Sequence, residues 1–155
     1  MAREEKTVET IMTKTVMAVE MNTTAKDCAK AMAKRGVSCA VVTQGGSAAG
    51  IVTERDLVSK VLAESIDAKN VLVRDIMSTP LITVSPDAEL TAAAELMARY
   101  RIRRLVVIDK AGALMGLVTT GDIARTLAEK QGYREAALNA MARYGELGPE
   151  SGPYQ

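Results

Sequence analysis

Gly50-Ile51-Val52-Thr53-Glu54-Arg55-Asp56-Leu57 and Gly116-Leu117-Val118-Thr119-Thr120-Gly121-Asp122-Ile123 are two copies of one pattern, Gly-apolar-Val-Thr-x-x-Asp-apolar, 66 positions apart. Upstream the same correspondence continues with an offset of 65. Val8-Glu9-Thr10-Ile11-Met12-Thr13 then falls on Val73-Arg74-Asp75-Ile76-Met77-Ser78. Val19 falls on Val84, Ala29 on Ala94, Met32-Ala33 on Met97-Ala98 and Val41-Val42 on Val106-Val107. Shared apolar positions alone would only say that two packed units are alike. Two complete strings with their flanks in register say that the chain is an internal duplication. The change of offset places one inserted residue near Leu114-Met115.

Each copy reads as strand, helix, strand, strand, helix, an α/β (α+β) unit. In the second copy Leu81–Val84 is β-rich, and Ser85-Pro86-Asp87 supplies a helix start. Leu90, Ala93, Ala94, Met97 and Ala98 recur at three- and four-residue spacing and mark one apolar helix face ending near Tyr100. Leu105–Ile108 is a short buried strand, Asp109–Gly112 a turn, Leu114–Thr119 the next strand, and Thr120 to about Lys130 a helix. The first copy predicts strand Val16–Val19, helix Thr24–Arg35, strands Cys39–Thr43 and Ala49–Val52, and helix Glu54–Ala63. Repeat 1 is assigned to residues 7–64 and repeat 2 to 71–130. Neither is long enough to bury its own apolar faces well, so the two are expected to pack together as one module over 1–155.

After Gln131-Gly132 the segment 133–144 carries Tyr133, Ala137, Ala140, Met141 and Tyr144 on one side of a further helix. That face is expected to pack on the chain's own body, with a dimer contact as the alternative. Residues 145–155, with Gly148-Pro149 and Gly152-Pro153, are expected to be a flexible tail.

Composition narrows the chemistry. The 155 residues are 48% apolar and 25% charged, with a formal net charge of +1. So small a bulk charge argues against nucleic acid or an anionic membrane as the partner. Histidine is absent, which excludes imidazole-based metal sites and Ser-His-Asp or Cys-His catalysis. Cys28 and Cys39 form no C-x-x-C pair and are read as small core hydrophobes. No apolar run approaches the ~18–20 residues of a membrane span, and the charged start Met1–Lys6 has no signal-peptide core. The expectation is a cytoplasmic protein with no metal, no cofactor and no catalytic residues.

Thr53 and Asp56, and likewise Thr119 and Asp122, sit where a strand gives way to a helix. The first backbone N–H groups of such a helix suit phosphate oxygens. A carboxylate three residues after the threonine can accept the hydroxyls of a ribose, as acidic residues do in dinucleotide-binding folds. The same four residues also spell an ordinary capping box. Recurrence at matching places in a duplicated unit favours a ligand role, alongside which the cap can coexist.

Two β-α-β-β-α repeats, each closing its third strand with Gly-apolar-Val-Thr-x-x-Asp, resemble the tandem cystathionine-β-synthase (CBS) domain pair, or Bateman module. The resemblance spans roughly residues 7–130. It implies pseudo-twofold packing of the repeats, two inter-repeat clefts for adenosine-containing ligands, and pairing of modules into a homodimer. Carried over, one cleft combines Thr119, Gly121 and Asp122 with Thr15, Val16, Val37, Ser38 and Cys39, closed by Arg103 and Arg104. The other combines Thr53, Arg55 and Asp56 with Thr79, Pro80, Leu81, Ile102 and Arg103. Gly121 leaves room for backbone approach, whereas Arg55 either holds a phosphate or pairs with Asp56 and blocks ribose, so the Asp122 cleft is favoured.

The function implied is a non-enzymatic regulatory sensor of an adenine nucleotide (AMP, ADP or ATP), acting on a separate effector protein. The alternatives are an S-adenosylmethionine or NAD binder, and a structural interaction module with degenerate clefts.

Overall fold

Each copy of the duplicated pattern builds its own three-stranded mixed sheet. The computed structural model describes residues 6–129 and residue 142; the helix expected over 133–144 and the tail over 145–155 lie outside the described residues. The first copy runs α1 (Val8–Ile11), β1 (Ala18–Glu20), α2 (Ala25–Arg35), β2 (Cys39–Gln44), β3 (Ser47–Thr53) and α3 (Glu54–Leu57). The helix begun by α3 continues through a wider π-type turn, Val58–Leu62, closed by Ala63 N–H donating to Val58 O at 2.8 Å. A 3-10 turn at Ala68–Asn70 leads to the second copy. That copy runs α4 (Val73–Ile76), β4 (Thr83–Val84), α5 (Leu90–Tyr100), β5 (Arg104–Ile108), β6 (Leu114–Thr119) and α6 (Thr120–Glu129). In each sheet the first strand runs parallel to the second, and the second pairs antiparallel with the third. The mixed α+β architecture read from the sequence is the one observed.

Local chemistry sets the element ends. Thr24 caps α2 by accepting from the Asp27 N–H at 3.1 Å, and Gly36 ends it in the left-handed region at φ 64°, where a glycine carries no steric penalty. Ala25, Cys28 and Met32 form the buried stripe of α2, and Leu90, Ala93 and Met97 that of α5. The expected helix start at Ser85-Pro86-Asp87 is displaced to Leu90. Ser85 Oγ instead donates to Asp87 Oδ1 at 2.7 Å and Ala88 N–H returns to Ser85 O at 3.2 Å, closing a local turn. The Ser85 hydroxyl also holds the Asp87 carboxyl below its usual range. The first strands of both copies are shorter than read, because pairing stops after Ala18–Glu20 and Thr83–Val84.

The inserted residue lies in a turn rather than near Leu114-Met115. The first hairpin turns on Gly45-Gly46, between paired Gln44 and Ser47. The second needs Lys110-Ala111-Gly112, between Asp109 and Ala113, with Asp109 N–H donating to Ala113 O at 3.0 Å. Beyond the turns both copies carry a register shift at the same place, Val42/Thr43 and Val107/Ile108.

The leading segment of each repeat packs into the other repeat. Thr13 N–H and O exchange hydrogen bonds with Leu117 at 2.9 and 3.0 Å, and Val8 N–H donates to Ala88 O at 2.9 Å. In the mirror arrangement Ser78 N–H donates to Ile51 O at 2.8 Å, and Val73 N–H to Thr23 O at 2.9 Å. Val8 and Met12 therefore complete a core made mostly of repeat 2, including Leu90, Met97, Val106 and Val118. Val73 and Ile76 complete the core of Cys28, Met32, Ala40, Val42 and Val52. Burial on this pattern drives association of the repeats, since separation would expose both cores. Among the described residues no helix is long and apolar enough to cross a membrane.

Candidate functional site

Both Thr-x-x-Asp strings form complete capping boxes. Thr53 N–H donates to Asp56 Oδ2 at 2.9 Å, and Asp56 N–H returns to Thr53 Oγ1 at 3.3 Å. Thr119 N–H donates to Asp122 Oδ2 at 2.9 Å, and Asp122 N–H to Thr119 Oγ1 at 3.2 Å. In each box one carboxylate oxygen is turned to the strand–helix junction and the other meets a cation one helical turn on. Lys60 Nζ lies 2.9 Å from Asp56 Oδ1, and Arg125 Nη2 lies 2.5 Å from Asp122 Oδ1. A carboxylate oxygen offers two lone pairs, so these pairings leave acceptor capacity for a ligand hydroxyl.

A cleft of about 380 Å³ opens beside Asp56. Repeat 1 lines it with Arg55, Asp56, Ser59 and Lys60, and repeat 2 with Met77, Ser78 and Thr79. The Ile51–Ser78 backbone pairing brings the two sides together, and Lys60 Nζ reinforces the join by donating to Ile76 O at 2.8 Å. Around Asp122, the Thr13–Leu117 pairing carries the start of repeat 1 alongside β6. Arg104 pairs with Thr119 in the β5–β6 ladder, and Thr120 N–H donates to Arg103 O at 3.0 Å. Arg104 Nη2 crosses to repeat 1 and donates to Ser38 Oγ at 3.0 Å, while Ser38 O accepts from Glu54 N–H at 3.0 Å. Ser38 thus links the two helix starts.

The family model for the CBS domain matches residues 8–63 and 73–129. The chain belongs to the CBS domain family. This CBS pair is 34% identical over 117 residues to the CBS domain-containing protein YhcV of Bacillus subtilis, covering 76% of this chain and 82% of that one. It is 44% identical over 101 residues to the uncharacterized protein MK0525 of Methanopyrus kandleri, covering 64% of this chain but only about half, 52%, of that relative's length. Among solved structures, the CBS domain pair of protein MJ0100, in complex with 5'-methylthioadenosine and S-adenosyl-L-methionine, superposes with a TM-score of 0.72. That pair is 27% identical, with 81% of this chain and 98% of that chain covered.

The sequence-derived residues of the CBS pair distribute unevenly. Arg55, Asp56 and Thr79 share the 380 Å³ cleft, with Thr53 buried beneath them as the cap. Pro80 and Leu81 follow Thr79 outside the lining, and Ile102 is fully buried in the core. Arg103, expected in both clefts, is tied by its carbonyl to the Asp122 helix start. Of the residues expected in the other cleft, Thr119, Asp122, Arg104 and Ser38 are joined as described. Gly121 is open, since an added Cβ would meet only Thr119 Oγ1 at 3.6 Å. Thr15 is exposed and Val16 and Val37 are half-buried. Cys39 is buried; its backbone pairs with Thr53, and its side chain belongs to the core that repeat 2 dominates, together with Val118 and with Ile123 of α6. Burial pushes its thiol up, and the nearby Arg104 pulls it partly back.

Sequence reasoning missed Ser59, Lys60, Met77 and Ser78 in the cleft, and Arg125. It gave Arg55 two roles, holding a phosphate or pairing with Asp56, and did not name Lys60, which meets Asp56 Oδ1 at 2.9 Å. Cations three and four residues after a helical carboxylate are its natural partners, and that spacing was the available signal for both Arg125 and Lys60.

Proposed function

We propose that this CBS pair is a regulatory sensor that takes an adenosine-containing ligand between its repeats and does no chemistry on it. The observation that carries the reading is the cleft beside Asp56. It lies between the two repeats, and a capped carboxylate, two cations and three hydroxyl side chains converge on it. A ribose diol suits the carboxylate and a phosphate suits Arg55 and Lys60. Because the lining comes from both repeats, occupancy bears on their relative placement, and a ligand with different affinity for two placements shifts the balance between them.

AMP, ADP and ATP are the leading ligands because the cleft is cationic. The complex of MJ0100 with 5'-methylthioadenosine and S-adenosyl-L-methionine favours a second reading, in which the ligand is S-adenosylmethionine rather than a nucleotide. Pairing of the module with a second copy is part of the proposal. Exposed Val58, Leu62 and Ile66, four residues apart on and just after the α3 extension, support it. An effector protein then reads the assembled module.

The test is a thermal-shift panel of AMP, ADP, ATP, S-adenosylmethionine and NAD on the wild type, Asp56→Ala and Asp122→Ala. A ligand at about a hundred times its dissociation constant stabilises the fold by ~2.7 kcal/mol. A shift from one ligand that disappears in one variant names both ligand and cleft. No shift from any of the five turns the reading to an interaction module with degenerate clefts.

A further inference from the structure

Lys60 occupies a position that the duplication does not repeat. Its counterpart in the second copy is Thr126, which donates to Asp122 O at 2.9 Å and carries no charge. Lys60 Nζ is held between two fixed acceptors, Asp56 Oδ1 at 2.9 Å and Ile76 O at 2.8 Å. An ammonium group has three donors. Two are used in holding the side chain in place, and the third remains on a nitrogen that borders the cleft. The side chain is half-exposed, so its charge is neither sealed in the core nor free to swing with solvent.

The consequence for the cleft is electrostatic. Asp56 Oδ2 accepts from both Thr53 N–H and Thr53 Oγ1, and Oδ1 accepts from Lys60, which leaves one acceptor site on Oδ1. With Arg55 on the same wall, the lining holds two cations against one carboxylate. Thr79 adds a hydroxyl to this lining, while the Ser59 hydroxyl is already donated to Arg55 O at 2.7 Å. A neutral nucleoside can place a hydroxyl on that remaining site but brings no charge to Lys60. An anionic group instead accepts from Lys60 without displacing it.

Resting on the adenosine reading above and going beyond it, we infer that Lys60 is the specificity-determining residue of the Asp56 cleft. Pinned by Asp56 Oδ1 and Ile76 O, it makes this cleft select a phosphate-bearing ligand over its uncharged nucleoside. On the Asp122 side the matching helix position is Thr126, Arg125 is strongly exposed, and the cation fixed across the repeats is Arg104, which donates to Ser38 Oγ at 3.0 Å.

The experiment titrates the full chain calorimetrically with inorganic pyrophosphate, ADP and adenosine, in the wild type, Lys60→Met and Lys60→Arg. Thermal melts confirm that the variants fold. The wild type binds pyrophosphate and prefers ADP to adenosine. Lys60→Met weakens pyrophosphate and ADP at least ~tenfold more than adenosine, the scale of one charge-assisted hydrogen bond, and Lys60→Arg recovers most of the preference. Equal losses for ADP and adenosine overturn the inference, because Lys60 then only supports the cleft. No loss, or a wild type that binds adenosine but neither anion, overturns it as well and leaves the adenosine reading standing. Pyrophosphate binding that Lys60→Met abolishes, in a chain that binds no adenosine compound, upholds the anion selectivity and removes the adenosine reading.

Discussion

Met12 lies across Gly116, its sulfur 2.7 Å from where a Cβ on that glycine would stand. The Thr13 carbonyl oxygen is 2.8 Å from the same point. Gly50 faces Met77 and Ser78 O in the same way, at 2.6 and 3.0 Å. The glycine that opens each Gly-apolar-Val-Thr string is therefore the mark of the Ile-Met-Thr/Ser string of the opposite repeat, whose backbone pairs one residue farther along the strand. Two motifs far apart in sequence are halves of one contact.

A methyl group at Gly116 must move backbone as well as the flexible Met12 side chain. Gly116→Ala is expected to destabilise the module by about 1–3 kcal/mol, the usual cost of overpacking. Met12→Ala in the same chain relieves only part of that cost, because Thr13 O stays where it is. Gly121→Ala is the contrasting change. Its Cβ meets only an ordinary contact with Thr119 Oγ1, at the end of β6, so it should stabilise by up to about 1 kcal/mol through helix propensity. Urea melts of the three variants test the ordering, which fails if Gly116→Ala is neutral.

Exchange of the leading segments makes a prediction about which piece of chain can stand alone. A fragment of residues 18–78 keeps Val73 and Ile76 with the Cys28, Met32 and Val52 core they complete. A fragment of 7–64, the repeat as the sequence delimits it, loses both residues and exposes Val8 and Met12, which belong to the other core. Circular dichroism should show a cooperative thermal transition, at low temperature, for 18–78 and none for 7–64. Pieces of ~60 residues are marginal in any case, so the comparison between them is the readout.

This exchange was not legible in the sequence, although the duplication that generates it was. Periodicity reports which face of a segment is apolar, not which neighbour covers it, and Val8–Met12 reads identically whether it packs on its own repeat or the other. The strands around Val41-Val42 and Val106-Val107 were legible because they are continuous β-branched runs buried on both sides. The helix start at Leu90 was not, because Ser85 and Asp87 bond to each other and leave the capping role. In the site, Thr53, Asp56, Thr119 and Asp122 stood out by recurrence. Lys60 did not, since its second copy is Thr126 and half its placement comes from Ile76 O, a backbone atom with no sequence signature.

Cap and ligand roles of the two aspartates separate by substitution. Asp56→Ala removes the cap from a buried junction and leaves Lys60 without its carboxylate, an expected loss of about 2 kcal/mol. Asp122→Ala faces a strongly exposed Arg125 and should cost nearer ~1 kcal/mol, the value of a cap alone. Asparagine at either position keeps an oxygen for the cap and removes the charge. Chemical denaturation of the four variants should therefore rank Ala below Asn at both sites, with the wider gap at position 56. Equal losses across all four would show that the boxes contribute little to stability.

The buried thiol of Cys28 ties stability to alkaline pH. Its side chain is sealed in the repeat 1 core, with Sγ 3.8 Å from Met32 Sδ, and burial pushes the thiol up from 9.0 to about 11. The unfolded chain releases the proton first, so the contribution is complete below pH 9 and is lost as pH rises through about 11. Between those limits each pH unit removes about 1.4 kcal/mol. Cys39, also raised, and the lysines titrate in the same range, so the measurement is a difference between two proteins. Wild type and Cys28→Ala are unfolded in urea at pH 8 and pH 10. The wild type should lose about 1 kcal/mol more than the variant across that interval. Parallel losses would mean that the thiol ionises in the folded core as readily as in the unfolded chain, which requires water to reach Cys28 between α2 and its sheet.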